Sequence, residues 1–364
     1  MKKKILFIIP NFLNGGSEKA LIRTVNNLNS DYYSITILCL KKTGGNADFL
    51  KPGINIIDIN TPSVYFSIFK IAQAIKSIRP DIVFGWMGYI NAYLSFFIPF
   101  FSKKINWLCR ESGIAGEMNK QHRFPWLFNY LYKTCNRYNT IICQSNYMAK
   151  DLVNNFGIQP QKIKIINNSI DFNEIENNKI KTIIKETGKF YLLYVGGLRI
   201  EKRVELIIET LATLSKNYLL TIVGSGDQLD KILSSVESYQ LGHRVEIISN
   251  CYNPVPYYQR TDCLLLASLH EGFPNVVLEA FSCGCPVIGF NIRGGANEAL
   301  NNYGGFILQN KTIQDFADKI RSVCENEKIE HDEIIRNCKE KYDIKDVIPV
   351  YNSLLLQNND SAKN

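Results

Sequence analysis

Residues 262–290 read DCLLLASLHEGFPNVVLEAFSCGCPVIGF, and this stretch decides the fold. DCLLLA (262–267) is a short apolar run of strand length, and PVIGF (286–290) is a second. Between them a GFPN turn opens a helical stretch that starts near Asn275 and carries Glu279 on its first turns. A strand, a loop, a helix and a strand, with both strands apolar throughout, form one step of a parallel sheet covered on both faces. Working outward, the same step recurs. FYLLYVG (190–196), YLLTIVG (218–224) and RVEII (244–248) precede it. Further upstream stand KILFII (4–9), SITILCL (34–40), INIIDI (54–59), DIVFGW (81–86), INWLC (105–109) and TIICQ (140–144). Helical stretches fall between most of them; SEKALIRTVNNLN (17–29) sets Ala20, Leu21, Thr24, Val25 and Leu28 on one face.

The pattern is α/β, and 364 residues exceed what one hydrophobic core usually serves. The polar stretch 171–189 is read as a linker between an N-terminal Rossmann-like domain (1–170) and a C-terminal one (190–342). A last helix, 343–357, is expected to pack back toward the N-terminal domain, ahead of a disordered tail at 358–364. Two doubly wound parallel sheets facing across a cleft would bind ligand at the carboxyl ends of their strands.

Charge divides unevenly. Residues 1–170 carry 21 Lys and Arg against 8 Asp and Glu, a balance of +13, whereas 171–364 carry 21 against 26, a balance of −5. The basic half points to an anionic partner. The ten Cys are scattered without a CxxC, and His122, His243, His270 and His331 form no ligand set, so a zinc site is not expected and free thiols in a reducing compartment are. Cys283 and Cys285 are read as packed rather than reactive. The opening MKKKILFIIPNF has too short an apolar run for a signal peptide and reads as a first strand, which places the chain in the cytoplasm or on the cytoplasmic face of the inner membrane. The uncharged 21-residue stretch 82–102 has the length of a membrane span, but Gly85, Gly88, Asn91 and Pro99 divide it into a strand and a separate helix.

Three loops carry candidate chemistry. PNFLNGGSEKAL (10–21) places Gly15 and Gly16 before a helix N-terminus, where backbone N–H groups attract an anion; it is neither GxGxxG nor a P-loop. YVGGLRIEKRVELIIE (194–209) sets Arg199 and Lys202 beside a helix start, a pairing suited to a diphosphate. SLHEGFPNVVLEAFSCGCPVIGF (268–290) offers Glu271 and Glu279 as acceptors for hydroxyls, with helix N–H donors alongside. A nucleotide sugar needs both kinds of group. A glycosidase pair of carboxylates is the rival reading, and it leaves the Arg/Lys loop unexplained.

The E-x7-E spacing from Glu271 to Glu279, with GFPNVVLEA and CGCPVIG, closely resembles the retaining glycosyltransferases of family four. GGSEKAL resembles that family's GG-A/S-E loop, VGGLRIEKR its basic loop, and RGGANEAL (293–300) its GG-x-x-E segment; the four motifs come in the family's order along nearly the whole chain. The resemblance implies the GT-B fold, a nucleotide-sugar donor with UDP as the first candidate nucleotide, and transfer of a hexose or N-acetylhexosamine without a metal cofactor; no DxD motif is present. It implies that Glu271 holds sugar hydroxyls and Glu279 the ribose. Phe273, Pro274 and Asn275 would set backbone groups at the sugar, and the Val276 and Val277 amides would lie near the phosphates. Lys202 and Arg199 would stabilise the leaving diphosphate, Gly16 would close over it, and the base would lie near Gly224 and the loop 249–251, which includes Cys251. Members often carry Arg where this chain has Gly197; Arg199 is the candidate replacement.

The acceptor side is assigned to the N-terminal domain. Trp86, Tyr89 and Asn91 follow one strand end, Arg110 and Glu111 another, and all five are expected to face the cleft. The aromatics and cations of MNKQHRFPWLFNYLYK (118–133), with Phe96, Phe97, Phe100, Phe101, Lys103 and Lys104, suggest an interfacial patch on anionic lipid. A glycan or polyprenyl-pyrophosphate-linked acceptor in lipopolysaccharide O-chain or capsule synthesis fits that charge. The alternatives are a GT-B sugar-nucleotide epimerase or phosphorylase-like enzyme and, from another class, a basic nucleic-acid-binding protein. Carboxylates at the site oppose a nucleic acid partner. His122 is read as a surface residue of a basic loop, and His270 as either a donor contact or a packed residue.

Overall fold

The computed structural model describes residues 2–13, 15–61, 63–120, 124–249 and 251–356. They form two compact units: residues up to 168 together with the helix Ile344–Leu356, and residues 169–343.

The sheet of the first unit has seven strands: β1 (Lys3–Ile9), β2 (Tyr33–Cys39), β3 (Asn55–Asp58), β4 (Ile82–Gly85), β5 (Asn106–Arg110), β6 (Thr140–Cys143) and β7 (Ile163–Ile165). All pairings are parallel, in the order β3-β2-β1-β4-β5-β6-β7. The chain winds outward from β1 to β3, then returns to the other side of β1 with β4. Loops after β1 and β4 therefore leave the sheet side by side at the point where the winding reverses. Central strands β1, β4 and β5 are buried almost from end to end, which is why each reads as an unbroken apolar run.

The second unit repeats the scheme with β8 (Phe190–Val195), β9 (Tyr218–Val223), β10 (Val245–Ile248), β11 (Cys263–Leu266), β13 (Val287–Phe290) and β15 (Gly305–Leu308), ordered β10-β9-β8-β11-β13-β15 and again parallel. Here the winding reverses between β8 and β11. Two short strands, β12 (His270–Glu271) and β14 (Arg293–Gly294), pair with each other outside the main sheet.

Residues 82–102 fold as β4 followed by the helix Gly88–Phe97 and a short 3-10 turn. No helix among the described residues is long and apolar enough to cross a membrane. The polar stretch 171–189 contains a helix, Phe172–Asn178, capped by the Asp171 side chain and anchored through buried Ile175. The helix Ile344–Leu356 packs Ile344, Val347, Ile348, Tyr351, Leu354 and Leu355 into a core of the first unit, and the Lys3 ammonium donates to its last carbonyls, on Leu355 and Leu356, at 3.2 and 3.1 Å.

Candidate active site

In the second unit, the loops after β8 and β11 are neighbours because their strands are. The β8 loop opens with Gly196-Gly197, and buried Leu198 anchors it. Leu198 N–H donates to the Ser225 carbonyl at 2.9 Å and the Leu198 carbonyl accepts from Gln228 N–H at 3.0 Å. The backbones are so close that a Cβ on Gly224 would lie 1.9 Å from the Gly196 carbonyl oxygen, so glycine is required there. A 3-10 turn, Ile200–Lys202, then presents two cations. Arg199 stays largely exposed and pairs with Glu201 at 3.0 Å. Lys202 turns inward.

The Lys202 Nζ meets the Glu271 Oε1 at 2.5 Å, and both side chains are mostly buried, with 16% and 13% exposure. Ser268, wholly buried at the end of β11, donates its hydroxyl to the same Oε1 at 2.7 Å. Burial by itself would push the Glu271 carboxyl up. The Lys202 charge, the hydrogen bonds from Lys202 and Ser268, and His270 together outweigh it and hold the carboxyl below its usual range. Glu271 is thus an ionised acceptor with an ammonium beside it. Its backbone is fixed by the β12–β14 pairing and by Gly295 N–H, which donates to the carbonyls of Glu271 at 2.9 Å and Gly272 at 2.8 Å.

The helix Asn275–Ser282 follows at once. Pro274 occupies its N-cap position, no side chain caps the helix, and the Val277 N–H donates to the Pro274 carbonyl at 3.2 Å, so the positive end of the helix dipole lies just beyond Glu271 in the chain. Glu279 is 8% exposed and accepts the Tyr258 hydroxyl on Oε2 at 3.1 Å. Phe273 is buried and packs edge-on against Tyr342 with centroids 5.9 Å apart; Val277 is wholly buried and Val276 half-buried. Cys251 is half-buried with its thiol 3.2 Å from the Asn253 carbonyl; its neighbour Asn250 lies outside the described residues. Ser268 and Tyr258 were not singled out from sequence. Ser268 was legible as the residue leaving an apolar strand; Tyr258 carried no signal.

In the first unit, Gly15 forms the N-cap position of the helix Gly16–Asn27, and a Cβ there would lie 2.3 Å from the Glu18 Oε2. A buried carboxylate already occupies that turn. The expectation that Trp86, Asn91, Arg110 and Glu111 face ligand is corrected. They are 0%, 0%, 3% and 1% exposed and form an internal network. Trp86 donates its indole N–H to the Ser17 carbonyl at 2.9 Å and stacks on Tyr351 of the last helix. Arg110 lies over the Trp86 ring at 4.7 Å and donates to Asn168 and to the Glu111 carbonyl. The Tyr132 hydroxyl donates to Glu111 Oε2 at 3.0 Å and Asn91 Nδ2 to Oε1 at 3.4 Å. Tyr351, on a helix from the far end of the chain, covers Trp86 and Arg110, while Tyr132 and Tyr138 close over Glu111 and Asn91. Tyr89 stays half-buried, its hydroxyl pushed up to about 12 by burial and by Glu18. His122 lies outside the described residues. His270 is half-buried in β12, near enough to Glu271 to act on its charge. The Cys283 and Cys285 thiols are free, and burial pushes both up.

Residues 14–174 match the family described as Glycosyltransferase Family 4, and residues 175–341 match Glycosyl transferases group 1. The chain belongs to the group 1/family 4 glycosyltransferases of GT-B fold. It is 25% identical over 270 residues, 72% of each chain, to the N-acetylgalactosamine-N,N'-diacetylbacillosaminyl-diphospho-undecaprenol 4-alpha-N-acetylgalactosaminyltransferase of Campylobacter jejuni. It is 23% identical over 358 residues to the UDP-Gal:alpha-D-GlcNAc-diphosphoundecaprenol alpha-1,3-galactosyltransferase of Escherichia coli, covering 90% of this chain and 89% of that one. Its fold is similar to that of Anabaena HepE in complex with UDP-glucose, with a TM-score of 0.80, 18% identity, and coverage of 97% and 99% of the two chains.

Proposed function

We propose that this glycosyltransferase moves a hexosyl or N-acetylhexosaminyl group, with retention, from a UDP-sugar to a polyprenyl-diphosphate-linked or glycan acceptor during assembly of a surface polysaccharide such as lipopolysaccharide O-chain or capsule. The observation that carries the reading is the buried Lys202–Glu271 pair beside the uncapped tip of the helix Asn275–Ser282. One carboxylate takes sugar hydroxyls; the ammonium and the helix donors take the diphosphate; Glu279, with its Oε1 left by Tyr258, takes the ribose. The Campylobacter and Escherichia relatives, whose names specify undecaprenyl-diphosphate acceptors, support the acceptor class.

In the reaction the bond from the anomeric carbon to the diphosphate oxygen breaks and its electron pair leaves with UDP. Positive charge develops on the sugar ring, and negative charge on the phosphate that Lys202 and the helix tip face. Donors already in place stabilise that charge without reorganising. The acceptor hydroxyl attacks from the face that the phosphate leaves, and its proton passes to the departing phosphate oxygen, which gives retention.

The surface of the first unit supports a membrane-borne acceptor. Among the described residues, every exposed Phe and Trp lies in this unit. Phe100, Trp126 and Tyr130 are 79%, 70% and 54% exposed, and rings link Phe100 to Phe97 at 6.4 Å and Phe96 to Tyr130 at 6.5 Å. Arg137 lies over the Phe96 ring at 5.9 Å and Lys103, Lys104 and Lys133 are near these aromatics in the sequence, whereas Phe101 packs inward on Trp107. Exposed aromatics accompanied by cations suit an acidic lipid surface.

The test is a thermal-shift screen with UDP-, GDP- and ADP-sugars, followed by kinetics. UDP-sugars should stabilise the protein; Glu279→Ala should weaken donor binding, and Lys202→Ala should chiefly lower turnover. Preference for GDP- or ADP-sugars, or wild-type turnover in both variants, would overturn the reading.

A further inference from the structure

The Lys202–Glu271 contact joins side chains from two loops that share no strand pairing with each other, so something must fix the distance between those loops. Two further links do so. Leu269 N–H donates to the Glu201 carbonyl at 2.8 Å. The Arg203 Nε donates to the Ala267 carbonyl at 2.7 Å, at the residue that follows β11 and precedes Ser268. Arg203 therefore reaches from the residue after Lys202 to the residue before the serine that holds Glu271.

Its conformation is unusual. Arg203 sits in the left-handed region, with φ 51° and ψ 46°, at the start of the helix Val204–Thr213. Non-glycine residues seldom occupy that region, and such strain tends to persist where surrounding contacts hold it. The guanidinium lies over the Phe290 ring at the end of β13, 5.2 Å from its centroid, and its Nη2 is buried without a hydrogen-bond acceptor. A ring face and one carbonyl are thus what the planar fork was fitted to. A lysine could reach the carbonyl but could not lie flat on the ring.

We propose that Arg203 is a positioning residue for the transfer reaction: it clamps the β8 loop to the end of β11 and so sets the Lys202–Glu271 geometry. Its guanidinium contacts are the Ala267 carbonyl and the Phe290 ring. The inference rests on the donor-site reading of Lys202 and Glu271, and it adds a residue which that reading does not contain.

Arg203→Gly separates the clamp from the fold, because glycine accepts the left-handed backbone that Arg203 adopts under strain. The probe is the UDP-sugar that gives the largest thermal shift among UDP-glucose, UDP-galactose and their N-acetylated counterparts. In Arg203→Gly the unfolding midpoint should stay within a few degrees of wild type, while kcat falls at least tenfold and KM changes less than threefold. The acid limb of the pH–rate profile should move to higher pH, because Glu271 loses the close ammonium that holds its carboxyl low. Arg203→Lys should restore part of kcat. Wild-type kcat in Arg203→Gly, alongside a defective Lys202→Ala, would overturn the clamp and leave the donor site intact. Wild-type kcat in both would remove the donor-site reading itself. A kcat loss with an unmoved acid limb, equal for Gly and Lys, would also overturn the clamp.

Discussion

Glu111 offers a quantitative test of how the first unit is held together. Its carboxylate is closed off from solvent, and burial raises it; hydrogen bonds from Tyr132 and Asn91 pull it down in part, Asp151 pushes it up again, and Arg110 lowers it. The balance moves the carboxyl from its ordinary 4.5 to about 7. The unfolded chain releases this proton near 4.5, whereas the folded protein keeps it until about 7, so stability falls as pH rises between those values. At about 1.4 kcal/mol per pH unit, the fall between pH 5 and pH 8 is roughly 2–3 kcal/mol. Glu111→Gln keeps the shape and removes the titration. The variant should match wild type within about 1 kcal/mol at pH 5 and be more stable by roughly 2–3 kcal/mol at pH 8. Native-state amide exchange in β5 and β6 reads the unit directly; the Asn106 N–H, held by the Asp81 carbonyl at 2.9 Å, is one such probe. Comparing the two proteins at each pH cancels the intrinsic exchange rate. An equal difference at pH 5 and pH 8 would refute the reasoning, because Glu111 would then titrate alike in the folded and unfolded states.

Gly88→Ala probes the same network sterically: its Cβ would lie 2.3 Å from the Tyr132 hydroxyl and 2.4 Å from Glu111 Oε2, so the variant should lose about 2 kcal/mol in urea unfolding of the first unit, and an unchanged midpoint would contradict the geometry. The exposed aromatic surface is checked by co-sedimentation with phosphatidylglycerol vesicles and with phosphatidylcholine vesicles. The wild type should prefer the acidic ones, and Phe100→Ser with Trp126→Ser together should weaken binding about a hundredfold, from roughly 1.5 kcal/mol per ring removed from the interface. Equal sedimentation of wild type and variant, or no preference for acidic lipid, would count against a lipid-facing role.

The strands were legible because central parallel strands are buried on both faces, which forces runs such as KILFII and DCLLLA. Edge strands obey no such rule: β7 is Ile-Lys-Ile and β15 starts at Gly305, half-buried throughout, so neither run stands out from its surroundings. The same distinction governs the site. Strand order places the loops after β8 and β11 together, and the residue types in those loops single out Lys202 and Glu271 from sequence alone. What pattern cannot tell is which polar strand-end residues stay open to a ligand and which another element covers. Arg110 and Glu111 resemble Lys202 and Glu271 in type and in lying at or beyond the end of a strand. They differ in partners: Tyr351, carried on a helix from the far end of the chain, stacks on Trp86, and Asn168 takes the Arg110 guanidinium. Such partners lie far away in sequence and leave no periodicity near the residues they cover. A polar strand end is available to a ligand only where no distant element covers it, and in this protein the second unit leaves the start of the helix Asn275–Ser282 without a side-chain cap, whereas the first closes its strand ends with aromatic rings.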